Sequence, residues 1–185
     1  MKPVALRTAR LVLDQPTLDD ADLVTEYCQD PVFEEYMVTP WPYERHHAEV
    51  FLGELVPRWW DEGSEYTWAL RLDGELIGVV GYRTRGKDIG FWLGAPYRGH
   101  GYMPEAVGEI LDWIFEHTDN EVIWECVVGN SSSVAVARKT GFRFRGEGTA
   151  IFTNRDGDHP IAWQGALAKA DSREPKPGWP VVSDC

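Results

Sequence analysis

The sequence predicts an α/β (α+β) domain in which a mixed, mostly antiparallel twisted sheet of six to seven strands carries about four helices. Three observations predict it. The elements read in the order β-α-α-β-β-β-α-β-α-β-β. A long antiparallel meander turns on Asp73-Gly74, a hairpin dipeptide flanked by apolar runs. Only one β-α-β crossover follows, too few for a doubly wound parallel sheet.

The first strand is Arg10-Leu11-Val12-Leu13. Thr17-Leu18-Asp19-Asp20 has the pattern of a capping box and opens a helix to about Gln29. Asp30-Pro31 and Thr39-Pro40-Trp41-Pro42 break the chain. A second helical pattern runs from about Glu44 to Trp60, with Pro57 expected to kink or shorten it. Residues 66–72 and 75–82 form the hairpin, and Asp88 to Leu93 the next strand, after the turn at Arg85-Gly86-Lys87. The helix ending near His117 carries Ala106, Ile110, Leu111 and Ile114 on one face. Val122 to Val128 is a buried-type strand, Asn130 to Thr140 a helix stopped by Gly141, and 142–152 and 159–168 the last two strands. Residues 1–170 are thus expected to form one domain. The Pro-rich segment 171–185 lacks periodicity and is expected to be a loosely attached tail.

With 185 residues, of which 43% are hydrophobic, the chain is long and apolar enough for a real core. No apolar run approaches the roughly 20 residues that cross a bilayer, and the N-terminus lacks a signal-peptide pattern. Cys28, Cys126 and Cys185 are an odd number without metal-ligand spacing, which argues against a disulfide framework or a metal and for a cytoplasmic setting. Cys126, flanked by apolar residues, is expected to pack as a small hydrophobe. The formal net charge of −12 opposes nucleic-acid binding and suits an amine-bearing partner, although it also serves plain solubility. Basic residues nevertheless concentrate in two windows, Arg83, Arg85, Lys87 and Arg98, then Arg138, Lys139, Arg143 and Arg145. Such local concentrations suggest a site for a small polyanion.

The chemically informative stretch joins a strand to a helix through Pro96-Tyr-Arg-Gly-His-Gly-Tyr-Met103. Glycines let backbone N–H groups converge, and the helix N-terminus behind them adds positive potential, so a pyrophosphate is a natural guest. The same pattern also serves as a mere tight connection. It is neither the dinucleotide fingerprint nor a P-loop.

Arg98-Gly-His-Gly101-Tyr-Met103 resembles the acetyl-CoA motif of the GNAT N-acetyltransferase superfamily. Residues 89–106, Asn130-Ser-Ser-Ser133, Arg138-Lys-Thr-Gly-Phe142, the opening Arg7-Thr-x-Arg-Leu-Val-Leu13 and Asp73-Gly-Glu-Leu-Ile-Gly78 are similar to the branch that contains the ribosomal-protein N-terminal acetyltransferases. The resemblance spans about residues 6–168. It implies direct attack of a primary amine on acetyl-CoA without a covalent enzyme intermediate and without metal. The donor would lie against Phe91, Trp92 and Leu93, the turn Arg98, Gly99, His100, Gly101, Tyr102 and Met103, and Asn130 and Ser133. A strand N–H in Asp88–Leu93 would stabilise the oxyanion, and Ser133 would protonate the thiolate. Ser133 also reads as a first-turn polar residue and Asn130 as an N-cap.

Asp88 and Glu125 are the candidate bases, against turn-capping and solvent-facing roles. Met103 stands where the family usually has a small residue. Turned into the turn it would crowd the diphosphate; turned away it would be tolerated. Trp41, Tyr43 and Trp68 are the candidate acceptor contacts, with core packing as the alternative. The expected acceptor is a protein or peptide N-terminal α-amine. A small amine (a polyamine, amino acid or aminoglycoside-like compound) and a non-catalytic acyl-CoA-binding module are the alternatives. A homodimer is compatible with the sequence.

Overall fold

The computed structural model describes residues 2–180. Eight strands form one sheet in the order β1-β2-β3-β4-β5-β6-β8-β7. They are β1 (Leu6–Arg7), β2 (Val12–Asp14), β3 (Glu65–Leu72), β4 (Glu75–Arg83), β5 (Asp88–Leu93), β6 (Val122–Val127), β7 (Arg143–Thr149) and β8 (Ile161–Leu167). Among the described strands only β5 and β6 pair in parallel; the crossover between them is the helix α5 (Tyr102–His117). The hairpin turn lies at Asp73-Gly74, as its sequence demands. The two-residue β1, too short for any periodicity, accounts for the strand beyond the expected six to seven.

The early helices are more divided than the sequence pattern suggests. α1 (Ala21–Cys28) is followed directly by α2 (Pro31–Tyr36). Pro31 starts a helix here because its missing N–H is not needed in a first turn, and the Asp30 side chain accepts from Val32 N at 3.0 Å. The expected helix at 44–60 becomes α3 (Arg45–Val50), a π-helical turn (Phe51–Leu55) and α4 (Val56–Glu62). The widened turn puts Pro57 in the first turn of α4, where its ring and missing N–H break no helix bond. α6 (Ser131–Lys139) follows β6.

The helices bury both faces of the sheet. α1 to α3 cover one face over Val24, Phe33, Leu52 and Leu76. α4 to α6 cover the other over Trp60, Trp68, Ile110, Trp113, Trp124 and Phe142. Residues 171–179 are not loosely attached. Asp171 pairs with Arg143 (3.2 Å), Arg173 with Asp112 (2.6 Å), and Trp179 packs on the second core. Composition gave no sign of this, because single side chains anchor the segment and it forms no periodic element. Cys185 lies outside the described residues.

Candidate active site

The parallel ladder between β5 and β6 holds only two register pairs, Asp88 with Ile123 and Ile89 with Trp124, and then the strands diverge. Gly94 N donates to Ile77 O at 2.9 Å. Alternation along β5 therefore turns its even-numbered amides toward β4, and the N–H and C=O of Phe91 and Leu93 toward the gap. The Leu93 carbonyl accepts from Arg98 Nε (3.1 Å) and Nη2 (3.0 Å). The N–H groups of Phe91 and Leu93 are left facing a cavity of about 420 Å³.

One end of this cavity is the turn before α5. Gly99 and Gly101 have φ of +82° and +79°, a conformation that glycine adopts without strain. A Cβ at Gly99 would meet nothing within 4 Å, so the space before the turn is open. The first-turn amides of α5, among them Tyr102 and Met103, have no partners within the helix. Met103 is 3% exposed and packs in the core on the α5 side, while also lining the cavity.

The turn is braced from the N-terminal arm, which the sequence shows only as part of a family pattern. Arg10 donates to the His100 carbonyl (3.0 Å) and to Glu105 (2.7 Å), and its guanidinium lies 4.5 Å from the Tyr102 ring centroid. Burial pushes the Glu105 carboxyl up, but hydrogen bonds from Thr8 and Arg10 outweigh it and hold the group below its ordinary range.

Along the middle of the cavity lie Asn130 and Ser133. Asn130 Oδ1 accepts from Ser133 N at 3.0 Å, so its N-cap role is real, and the side chain also lines the cavity. Ser133 Oγ accepts from the Trp124 indole at 3.0 Å. An indole N–H only donates, which leaves the hydroxyl hydrogen of Ser133 for another partner. The Cys126 thiol lies beside it, buried as the sequence suggests and pushed up to about 12 by that burial, with the Ser133 hydrogen bond opposing.

The two candidate bases part company. Glu125 lines the cavity; its Oε1 accepts from Gln164 Nε2 (2.6 Å) and its Oε2 from Ile151 N (2.7 Å). Asp88 is 5% exposed, accepts from Arg83 Nε at 2.7 Å and is no part of the cavity wall. Its position opposite Arg83 in the β4–β5 ladder makes it the buried half of an ion pair whose arginine is partly exposed and lines the cavity. Beside them, burial raises the Glu65 carboxyl above its ordinary range despite the opposing pull of Arg83.

Four of the eight basic residues in the two windows are paired locally. Arg83 pairs with Asp88, Arg98 with Asp30, Arg143 with Asp171 and Arg145 with Glu121, while Lys139 lines the cavity. Arg98 therefore serves the site by fixing the end of β5 to the α1–α2 junction. Burial raises the Asp30 carboxyl, and the Val32 amide and Arg98 together bring it below its ordinary range.

The two tryptophans and the tyrosine that the sequence suggests for the acceptor, Trp41, Trp68 and Tyr43, are not in the wall of the main cavity. Trp68 is fully buried on the α5 side, its ring edge-on to Trp60 (5.2 Å) and Trp113 (5.1 Å) and its indole donating to Val4 O (2.9 Å). Alternation along β3 sends it to the core. Trp41 packs on the α1–α3 cluster, and Tyr43 lines a separate cavity of about 230 Å³. Trp92 borders both cavities.

The far end of the main cavity is formed instead by Phe33, Met37 and Val38 of the α2 region and by Phe152. One side chain ties these two segments together. Arg155 donates to the carbonyls of Thr39 (2.7 Å), Glu34 (2.8 Å), Phe33 (2.7 Å) and Met37 (2.8 Å). It thereby caps the C-terminal carbonyls of α2. We expect Arg155→Ala to raise the KM for the acceptor roughly tenfold with that for the donor unchanged, since hydrogen bonds to a charged group contribute about 1.5–3 kcal/mol. Steady-state kinetics with each substrate varied in turn checks this.

The sequence pattern of the acetyltransferase (GNAT) domain matches residues 10–143, which include every strand and helix of the site up to the start of β7. The chain belongs to the GNAT acetyltransferase family. A Bacillus licheniformis protein named as an uncharacterized N-acetyltransferase, p20, is 26% identical over 150 residues, covering 76% of this chain and 83% of that protein. Two solved structures share the fold. RimL, a ribosomal L7/L12 α-N-protein acetyltransferase, has a TM-score of 0.75 at 18% identity over 90% of this chain and 94% of its own. The microcin C7 self-immunity acetyltransferase MccE, solved with acetyl-CoA and AMP, has a TM-score of 0.73 at 19% identity over 86% and 93%.

The residues of this GNAT chain fit acetyl-CoA as donor. The open turn at Gly99–Met103 suits the diphosphate, and the gap between β5 and β6 suits the pantetheine arm. Among the described residues no group of three or more His, Cys, Asp or Glu is placed to hold a metal ion. No helix among them is long and apolar enough to cross a membrane.

Proposed function

We propose that this GNAT acetyltransferase acetylates the N-terminal α-amine of a protein or peptide. The observation that carries the reading is the convergence on one cavity of the Phe91 and Leu93 amides, the Ser133 hydroxyl, the Glu125 carboxylate and the glycine turn. Acetyl-CoA, when bound, supplies a thioester carbonyl for direct attack by the amine. Phe91 N–H or Leu93 N–H would donate to the carbonyl oxygen as negative charge develops there. Ser133, held as an acceptor by Trp124, would give its hydroxyl proton to the departing sulfur and regain one, through water, from the attacking nitrogen as the amide forms. Glu125 would receive the amine and orient it.

An α-amine is favoured over a lysine because Glu125 already accepts hydrogen bonds at both oxygens, an arrangement for orienting more than for proton abstraction. An α-amine, with a pKa near 8, is about one-tenth neutral at pH 7 and needs little help from a base, whereas a lysine near 10.4 needs much. The exposed apolar residues Val38 (49%) and Ile151 (46%) border the α2 and β7–β8 sides of the acceptor end and suit the flanks of a peptide. The RimL name points the same way.

Thiol release from acetyl-CoA across a panel of N-terminal peptides, polyamines, amino acids and aminoglycosides tests the reading. Release with peptides is the expected outcome. Release with small amines alone would overturn it.

A further inference from the structure

The C-terminal segment and the proposed proton donor are joined by an unbroken chain of contacts. Trp179 sits edge-on to Trp124, with ring centroids 5.4 Å apart and planes at 67°, and is the same distance from Phe144. Trp124 is fully buried and donates its indole N–H to Ser133 Oγ. The segment that delivers Trp179 is held along its length. Lys176 donates to the carbonyls of Gly141 and Ser172, and Arg173 lies so close to the α6–β7 turn that a Cβ at Gly141 would stand 2.6 Å from its Cα. Gly141 therefore both ends α6 and admits the segment.

We propose that residues 171–179 are a working part of the active site: Trp179 holds the Trp124 indole in place, and Trp124 in turn holds the Ser133 hydroxyl for proton donation. Trp179 and Trp124 are positioning residues, and the inference rests on the acetyltransfer reading above. The physical reason is the geometry of one bond. Because the indole can only donate, it fixes where Ser133 Oγ sits without taking up the hydroxyl hydrogen, whose other neighbour is the Cys126 sulfur. Removing Trp179 leaves a void beside Trp124, and a tilt of that ring moves the hydroxyl out of line. Small misplacements of a reacting group have large kinetic consequences. The Trp179 indole N–H is itself buried without a partner among the described residues, so the ring and not its polar atom is what the site uses.

The test uses the full chain with acetyl-CoA and an acceptor peptide. Trp179→Ala should lower kcat about tenfold with little change in the KM for acetyl-CoA, and Trp179→Phe, which keeps a ring and drops the unpartnered N–H, should restore it. Trp124→Phe, which keeps a ring and loses the bond to Ser133, should lower kcat likewise. In a Ser133→Ala background neither Trp179→Ala nor Trp124→Phe should lower kcat further. An unchanged kcat in folded Trp179→Ala or in Trp124→Phe would overturn the inference, and so would the same fold loss with and without Ser133.

A readout independent of turnover separates this from the acetyltransfer reading. Hydrogen exchange of the Trp124 indole N–H, followed by NMR, should be faster in Trp179→Ala than in the unaltered protein and unchanged in Trp179→Phe. Equal protection in Trp179→Ala would overturn the coupling. Faster exchange in a protein that acetylates nothing would uphold the coupling and overturn the acetyltransfer reading alone.

Discussion

Replacing Ser133 with Ala should lower kcat for peptide acetylation about a hundredfold, the usual scale for one general acid. The departing thiolate would then have to take its proton from water. The substitution removes one hydroxyl and leaves the helix cap intact, because the Asn130 side chain bonds the backbone N of Ser133 and not its Oγ. The affinity for acetyl-CoA, read by calorimetry, should therefore stay within about twofold, the pattern of an interaction made only in the transition state. The indole of Trp124 loses its acceptor, a buried donor left unsatisfied, and a stability loss of about 1–3 kcal/mol should accompany the kinetic effect. A kcat equal to that of the unaltered protein would remove Ser133 as proton donor.

The largest stability effect is expected from Trp68→Ala. Trp68 has no exposed surface, packs between Trp60 and Trp113, and its indole ties the N-terminal segment to β3 through Val4. Truncating a buried Trp to Ala typically destabilises by about 3–5 kcal/mol. For a chain of this size that is roughly 6–20 °C in Tm. At a temperature where the variant is folded, the KM for the acceptor should be unchanged, because the side chain lies in the α5-side core and not in the wall of the acceptor end. A variant with unaltered Tm and a raised acceptor KM would place Trp68 at the acceptor after all.

The two predictions mark the boundary between what sequence conveys and what it does not. The donor half of the proposed site is legible because its information is local. Arg98 to Met103, the α5 start and the Asn130–Ser133 cap are each written in consecutive residues whose backbone geometry follows from their types. Glu125 is a candidate from its place on β6, but alternation alone leaves open whether it faces inward or out. The acceptor half is built from distant segments. Arg155 is 116 to 122 residues from the carbonyls it binds, and nothing in Asn154-Arg155-Asp156-Gly157 beyond a turn signal announces it. Phe33 and Met37 were hidden because Asp30-Pro31 reads as a break, although an Asp N-cap before Pro at N1 is equally the start of a helix. Asp88 and Trp68 show the converse. Their residue types suit the site, but an arginine across the ladder claims the first and strand alternation sends the second to the core. The anchoring of the Pro-rich tail is not visible in the sequence because it rests on single side chains, Arg173, Lys176 and Trp179, and not on a period.

The central claim is that this cavity directs an acetyl group to an α-amine, and the position of the product acetyl decides it. A peptide with a free N-terminus and one internal lysine would be incubated with the protein and acetyl-CoA, and the acetyl group located by fragmentation mass spectrometry. Acetylation at the N-terminal nitrogen, lost in parallel with kcat in Ser133→Ala, is the expected result. Acetylation confined to the lysine Nζ, or none on peptides while a small amine is consumed, would contradict it.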